Sequence, residues 1–182
     1  MNKEIEIKIL NVDRKKVTAL LRKLGGRQVM RPTLMREVYW ESPAPERRYS
    51  SFRLRSEGKE TRLTLKLKKD DRDFLVRDEY ETAVGDFGAA WQILELVGFK
   101  VFRQREKIRE EYRVGRVKVE IDEYPRMRPY LEIEAHSKKD AESLLKKLGF
   151  SLDLASSETA TEIIKRAGLN PDSLLFQKKN TP

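Results

Sequence analysis

The chain has 182 residues, 38% charged against 38% apolar, with a formal charge of +9: enough for one domain with a lean core and too little for two full ones. It has no cysteine and one histidine, His136, which excludes disulfides, thiolate catalysis and cysteine-held zinc and argues against histidine triads and histidine-rich metal sites. No stretch reaches membrane length and no signal-peptide pattern opens the chain, so the cytoplasm is the expected location.

Glu4-Ile5-Glu6-Ile7-Lys8 alternates ions with β-branched residues, so a strand here sets Glu4, Glu6 and Lys8 on one face and Ile5, Ile7 and Ile9 on the other. Val12, Val17, Leu20, Leu21 and Leu24 then recur at helical spacing behind Asp13 as cap, and Gly25-Gly26 stops that helix. A strand over 36–41 is broken by Ser42-Pro43-Ala44-Pro45. Strands over 51–56, 61–68 and 75–84, with turns at 57–59 and 69–73, read as a meander.

A second helix over 87–97 ends at Gly98, and a long strand from near Phe99 to Tyr112 leads into the hairpin Arg113-Val114-Gly115-Arg116. Strands over 117–123 and 130–135 flank a proline-bounded loop, and His136 follows them at a surface turn. A third helix over 138–148 stops at Gly149, and a fourth over 157–167 has Ser157 as cap and Gly168 as stop. Residues 1–170 form the expected domain and 171–182 a weakly ordered tail.

Charge alternation returns in Phe52-Arg53-Leu54-Arg55, Leu63 through Lys68, Arg77 through Glu81, Lys118 through Asp122 and Leu131 through Glu134. Any one such strand is ordinarily half-solvated. Six together admit a second reading, in which the ionic faces converge and set carboxylates for metal beside Lys and Arg for an anion. About eight antiparallel strands with few helices give an α+β fold, helices over the apolar face and ions turned inward. Acids and bases are intermixed along the chain, which fits metal plus phosphate better than duplex DNA.

Glu4-x-Glu6-x-Lys8 near the start resembles the signature of the CYTH superfamily, the triphosphate tunnel metalloenzymes. Phe52-Arg53-Leu54-Arg55 resembles that family's paired-arginine strand, Thr64-Leu65-Lys66 its lysine strand and Arg77-x-Glu79-x-Glu81 its acidic strand. Lys107-Ile108-Arg109 with Tyr112, then Val119-x-Ile121-Asp122, then Leu131-Glu132-Ile133-Glu134 continue in family order, from about Lys3 to Gly168. The resemblance implies an eight-stranded antiparallel closed β-barrel, a tunnel that takes a small-molecule triphosphate with Mg²⁺ or Mn²⁺.

On that resemblance Lys8, Arg53, Arg55, Lys66, Lys107 and Arg109 are the substrate-binding cations, the arginines matching phosphate oxygens as forks. Glu4, Glu6, Asp122, Glu132 and Glu134 are the metal carboxylates, and Glu79 and Glu81 hold a second metal, orient water or neutralise tunnel cations. Glu120 fits the same face and is read as an ion-pair partner. Lys8 with Tyr39 polarises or protonates the reacting group, a core tyrosine with a satisfied hydroxyl being the plainer reading of Tyr39. In the C-terminal segment Ala160 stands where the family carries an aromatic.

The expected function is metal-dependent hydrolysis of inorganic, nucleoside or thiamine triphosphate. The alternatives are a class IV-type adenylyl cyclase, whose His-Phe pair before the first Glu is not found in Met1-Asn2-Lys3, and a non-catalytic polyphosphate or RNA binder. No membrane partner is expected, nucleic acid is the less favoured one, and a homodimer is left open.

Overall fold

The computed structural model describes residues 2–41, 51–69 and 75–177. The expected breaks at 42–45 and 70–73 lie outside them, as do the side chains of Glu4 and Arg77. The chain begins with β1 (Asn2–Ile9), α1 (Arg14–Lys23) and β2 (Arg27–Glu41), then a meander of β3 (Ser51–Glu57), β4 (Glu60–Lys69) and β5 (Leu75–Val84). After α2 (Phe87–Leu96) come β6 (Lys100–Val114), β7 (Val117–Glu123), β8 (Tyr130–Ala135) and α3 (Lys138–Lys147). Ala155–Ser156 (β9), α4 (Ala160–Arg166) and Ser173–Leu174 (β10) complete it. No helix among the described residues is long and apolar enough to cross a membrane.

The strands form one large sheet in which β6, β2, β3, β4, β5, β1, β8 and β7 are neighbours in that order, and β7 pairs with β6 as well. Each pairing in this series is antiparallel. Strand β6 is shared: Arg109 faces Thr33 of β2 on one side and Asp122 of β7 on the other.

The burial of β1 decides between a solvated ionic face and an interior one. Glu6 and Lys8 are 1% and 2% exposed, as hidden as Ile7 at 0%. Charged side chains are almost never this buried unless paired, and both faces of the strand are therefore interior. The apolar face, with Ile5, Ile7, Val119, Ile121, Leu131 and Ile133, is covered by Val17 and Leu21 of α1 and Leu144 and Leu145 of α3. Helix α2 lays Phe87, Trp91 and Leu94 on Val38, Trp40 and Leu54.

Three expectations are corrected. Strand β2 starts at Arg27 rather than 36, because its ladder with β6 absorbs Pro32 through register shifts between Gln28 and Met30 and between Met30 and Thr33; such a bulge tolerates a residue without an N–H. Helix α4 starts at Ala160, capped by Thr159 in a capping box with Glu162, because Ala155 and Ser156 pair with Ile9 and Lys8 and hold the chain extended past Ser157. The stretch after Pro171, expected within a tail, adds β10 to the edge of β6 and buries Leu174 completely against Tyr124, Tyr130 and Ile164. Leu174→Ala is expected to cost about 2–4 kcal/mol, the penalty of a buried leucine cavity, read as a lower urea midpoint; an unchanged midpoint would show that this segment contributes nothing.

Candidate active site

The ionic face gathers into two zones. The first centres on Glu37 of β2, 1% exposed and ringed by cations. Arg53 Nη1 donates to its Oε1 at 3.2 Å, Lys107 Nζ lies 3.7 Å from the same oxygen and Arg105 Nε 3.8 Å from Oε2. Tyr39 Oη donates to Glu37 at 3.0 Å and accepts from Arg105 Nη2 at 2.6 Å, and Tyr124 Oη donates to Glu37 at 3.4 Å. Beside them Arg55 pairs with Glu57 and lies 3.7 Å from Glu81, and Lys66 Nζ is 3.0 Å from Glu79. Among the described residues the buried Nε atoms of Arg53, Arg55 and Arg105 have no hydrogen-bond acceptor, a cost of about 1–3 kcal/mol for each buried donor left unpaired. This zone has donors to spare for an anion.

The second zone is acidic and spans β1, β8 and β7. Glu120, Asp122 and Glu132 are 2%, 0% and 8% exposed and offer oxygens within 4.8 Å of one another. Register opposes Glu120 to Glu132 and Glu6 to Glu134. Like charges directly opposite destabilise a sheet, so cations must intervene. Arg109 does so, donating to Asp122 from Nε at 2.6 Å and Nη2 at 2.5 Å, pairing with Glu120 and lying 3.9 Å from Glu132. Lys107 Nζ donates to Asp122 at 2.8 Å, Lys8 Nζ donates to Glu6 at 2.5 Å, and Lys118 pairs with Glu120 and Glu134.

These surroundings move protons. Burial pushes the Glu37 carboxyl up, but Lys107, Arg53 and Arg105 outweigh it and hold it well below the usual range. Asp122 is likewise driven up by burial and brought below its usual value by Arg109 and Lys107. The tyrosines split: burial raises each, but Arg105 brings Tyr39 below its ordinary value, whereas Tyr124 beside Glu37 and Tyr130 beside Asp122 end well above theirs. Tyr39 is therefore the readier proton donor of the three.

Both carboxylates are depressed in the folded state, so their contribution is complete only well above the unfolded values of about 4, where the unfolded side chains are fully ionised, and is lost as the pH falls through those values toward the folded ones. Unfolding at pH 3 is expected to need less urea than at pH 7, and an equal or higher midpoint at pH 3 would contradict the charge arrangement.

A model of the CYTH domain matches residues 2–162. The chain belongs to the CYTH family. It is 29% identical over 133 residues to a candidate adenylate cyclase of Methanocaldococcus jannaschii, covering 72% of this chain and 75% of that one. A conserved hypothetical protein of Pyrococcus furiosus superposes with a TM-score of 0.75 at 25% identity, covering 88% of this chain and 99% of the other. A candidate adenylyl cyclase from Hippeastrum, reported with a dominant triphosphatase activity, has the same fold, with a TM-score of 0.61 at 14% identity over 93% of this chain and 97% of its own.

Within the CYTH frame, the cations expected from sequence lie on the shared ionic face: Arg53, Arg55, Lys66 and Lys107 in the first zone, Lys8 and Arg109 in the second, with Lys107 touching both. Of the expected metal carboxylates, Asp122 and Glu132 come together. Glu6 and Glu134 lie opposite each other beside Lys8 and Lys118, and the side chain of Glu4 lies outside the described residues. Lys8 and Tyr39, which the resemblance implies as a pair, each have contacts of their own: Lys8 donates to Glu6 and Tyr39 bonds Glu37 and Arg105. Lys8 on β1 faces β8, with Glu132 4.0 Å away, whereas Tyr39 on β2 faces β3 and β6.

Two residues escaped the sequence reading, and a third has a wider part than expected. Glu37 shares the parity of Tyr39 on β2, and Arg105 that of Lys107 and Arg109 on β6, so alternation carried to the strand ends would have found them. Glu120, read as an ion-pair partner, is one and also completes the three-carboxylate cluster.

Proposed function

We propose that this CYTH protein is a divalent-metal-dependent phosphohydrolase that holds a triphosphate inside the sheet and releases its terminal phosphate to water. The observation that carries this reading is the juxtaposition, in one buried interior, of guanidinium donors without acceptors and a three-carboxylate cluster. Pure anion binding gains nothing from opposed acids beside the ligand, whereas a metal–triphosphate complex uses both. We read the eight paired strands as closed into a tunnel, a reading supported by β6 pairing with both β2 and β7.

The oxygen-only donors of Glu120, Asp122 and Glu132 fit Mg²⁺ or Mn²⁺, and the cluster already accommodates the positive charge of Arg109. Such an ion, when bound, withdraws charge from phosphate oxygens. Glu6 and Glu134 flank the same side, and Glu4 is assigned with them from its place in the opening motif. Arg53, Arg55, Lys66, Lys107 and Arg109 grip the phosphate oxygens, with Lys8 at the acidic edge, so that negative charge moving to the leaving oxygen is met by fixed donors. Tyr39, held below its usual pKa beside Arg105, gives a proton to that oxygen. Glu79 and Glu81 orient water or take a second metal.

A class IV-type adenylyl cyclase is the second reading, favoured by the Methanocaldococcus relative. Fold does not choose between them. Purified protein with Mg²⁺ or Mn²⁺ is offered inorganic triphosphate, thiamine triphosphate, ATP and GTP, and phosphate, pyrophosphate and cyclic nucleotide are assayed. Phosphate alone is the expected product; pyrophosphate with cyclic AMP from ATP selects the cyclase, and no product from any substrate leaves a binder. Mg²⁺ with inorganic triphosphate at a hundred times its Kd is expected to stabilise the fold by about 2.7 kcal/mol, and an unmoved melting temperature would remove the site.

A further inference from the structure

The interior ion pairs join acids to bases, so the surplus of bases falls to the outer surface. There it is not evenly spread. Helices α1 and α3 cover one apolar face and present Lys15, Lys16, Lys23, Lys139, Lys146 and Lys147, all exposed, to the outside. The acids on these helices and their caps are Asp13, Asp140 and Glu142. Asp13 accepts the Lys16 N–H and Asp140 the Ser137 hydroxyl at the helix starts.

Lys23, Lys146 and Lys147 stand in last turns, where the helix dipole favours cations. Lys15, Lys16 and Lys139 do not. They sit in first turns, and that of α1 carries no acid, so each opposes the dipole by about 0.3–1 kcal/mol. Helix stability therefore does not account for them, and a local rule broken without a local gain marks a contact made elsewhere. Neither helix contains an aromatic residue. The face offers charge and no stacking platform, which suits a duplex with its bases turned inward and only phosphates outside, rather than a single strand whose bases need aromatic partners.

We propose that the α1–α3 face docks double-stranded nucleic acid through its phosphates, without sequence preference. The acid–base mixing along the chain, which points away from such a partner, is undone in three dimensions because the strand acids fold inward while the helix lysines face out.

The test is fluorescence anisotropy with a labelled RNA duplex of arbitrary sequence across a salt series. If the six lysines engage, log affinity falls with log salt at a slope of roughly −5, about a thousandfold between 50 and 200 mM. The triple variant Lys15→Glu, Lys16→Glu, Lys139→Glu is expected to lose at least about tenfold in affinity and to flatten the slope by about 3. Its melting temperature should hold or rise, since acids in first turns complement the dipole. Arg53→Ala, which alters the interior, should leave duplex binding unchanged whether or not the proposed hydrolysis is correct. No binding at low salt, loss of binding with Arg53→Ala alone, a lower melting temperature in the triple variant, or tighter binding to single strands or phosphatidylserine vesicles would each overturn the proposal.

Discussion

Arg53→Ala is expected to lower phosphate release from inorganic triphosphate by roughly a thousandfold, with the far-ultraviolet circular dichroism unchanged. The size follows from the burial of the guanidinium and from its Nε, which has no acceptor among the described residues. A fork held in place before substrate arrives costs no reorganisation when charge develops. The fold should survive because Glu37, the acid that Arg53 serves, keeps Lys107, Arg105 and the hydroxyls of Tyr39 and Tyr124. Arg53→Lys restores the charge without the planar fork and should recover only part of the rate. Full activity in Arg53→Ala would place the phosphate elsewhere.

Glu37→Gln is expected to have the largest effect on stability, roughly 3–5 kcal/mol in the absence of ligand, the cost of removing one partner from a buried ion network. The amide keeps the shape but leaves Arg53, Arg105 and Lys107 facing one another without their shared counter-charge. A bound metal–triphosphate complex brings negative charge back, so most of the loss should vanish in its presence. Paired urea titrations with and without Mg²⁺ and inorganic triphosphate measure this difference. The same loss in both would mean that Glu37 only supports the strands and that the ligand does not reach its cations.

Much of the fold is legible in the sequence because it depends on neighbours along the chain. Asp13 at a helix start, Gly25 in the left-handed region at its end and the exact-period alternation of β1 are short-range effects. The misplaced start of α4 shows the limit: Ser157 is a sound cap by type, yet the pairing of Ala155 and Ser156 with β1 overrode it. The β2 boundary failed similarly, since a distant strand tolerated Pro32.

The sequence by itself therefore determined which side chains share the ionic face, because period-two alternation is built into every strand. Only the tertiary structure decided who meets whom. Lys8 came beside Glu6 and Glu132, Glu37 became the hub of cations and hydroxyls from β2, β3, β6 and the residue that follows β7, and Glu120 entered a carboxylate cluster. Those outcomes depend on strand order and register, which are settled by pairings between residues as distant along the chain as Ile5 and Ala135 or Lys8 and Ser156, and Coulomb energy falls with distance in space rather than along the chain.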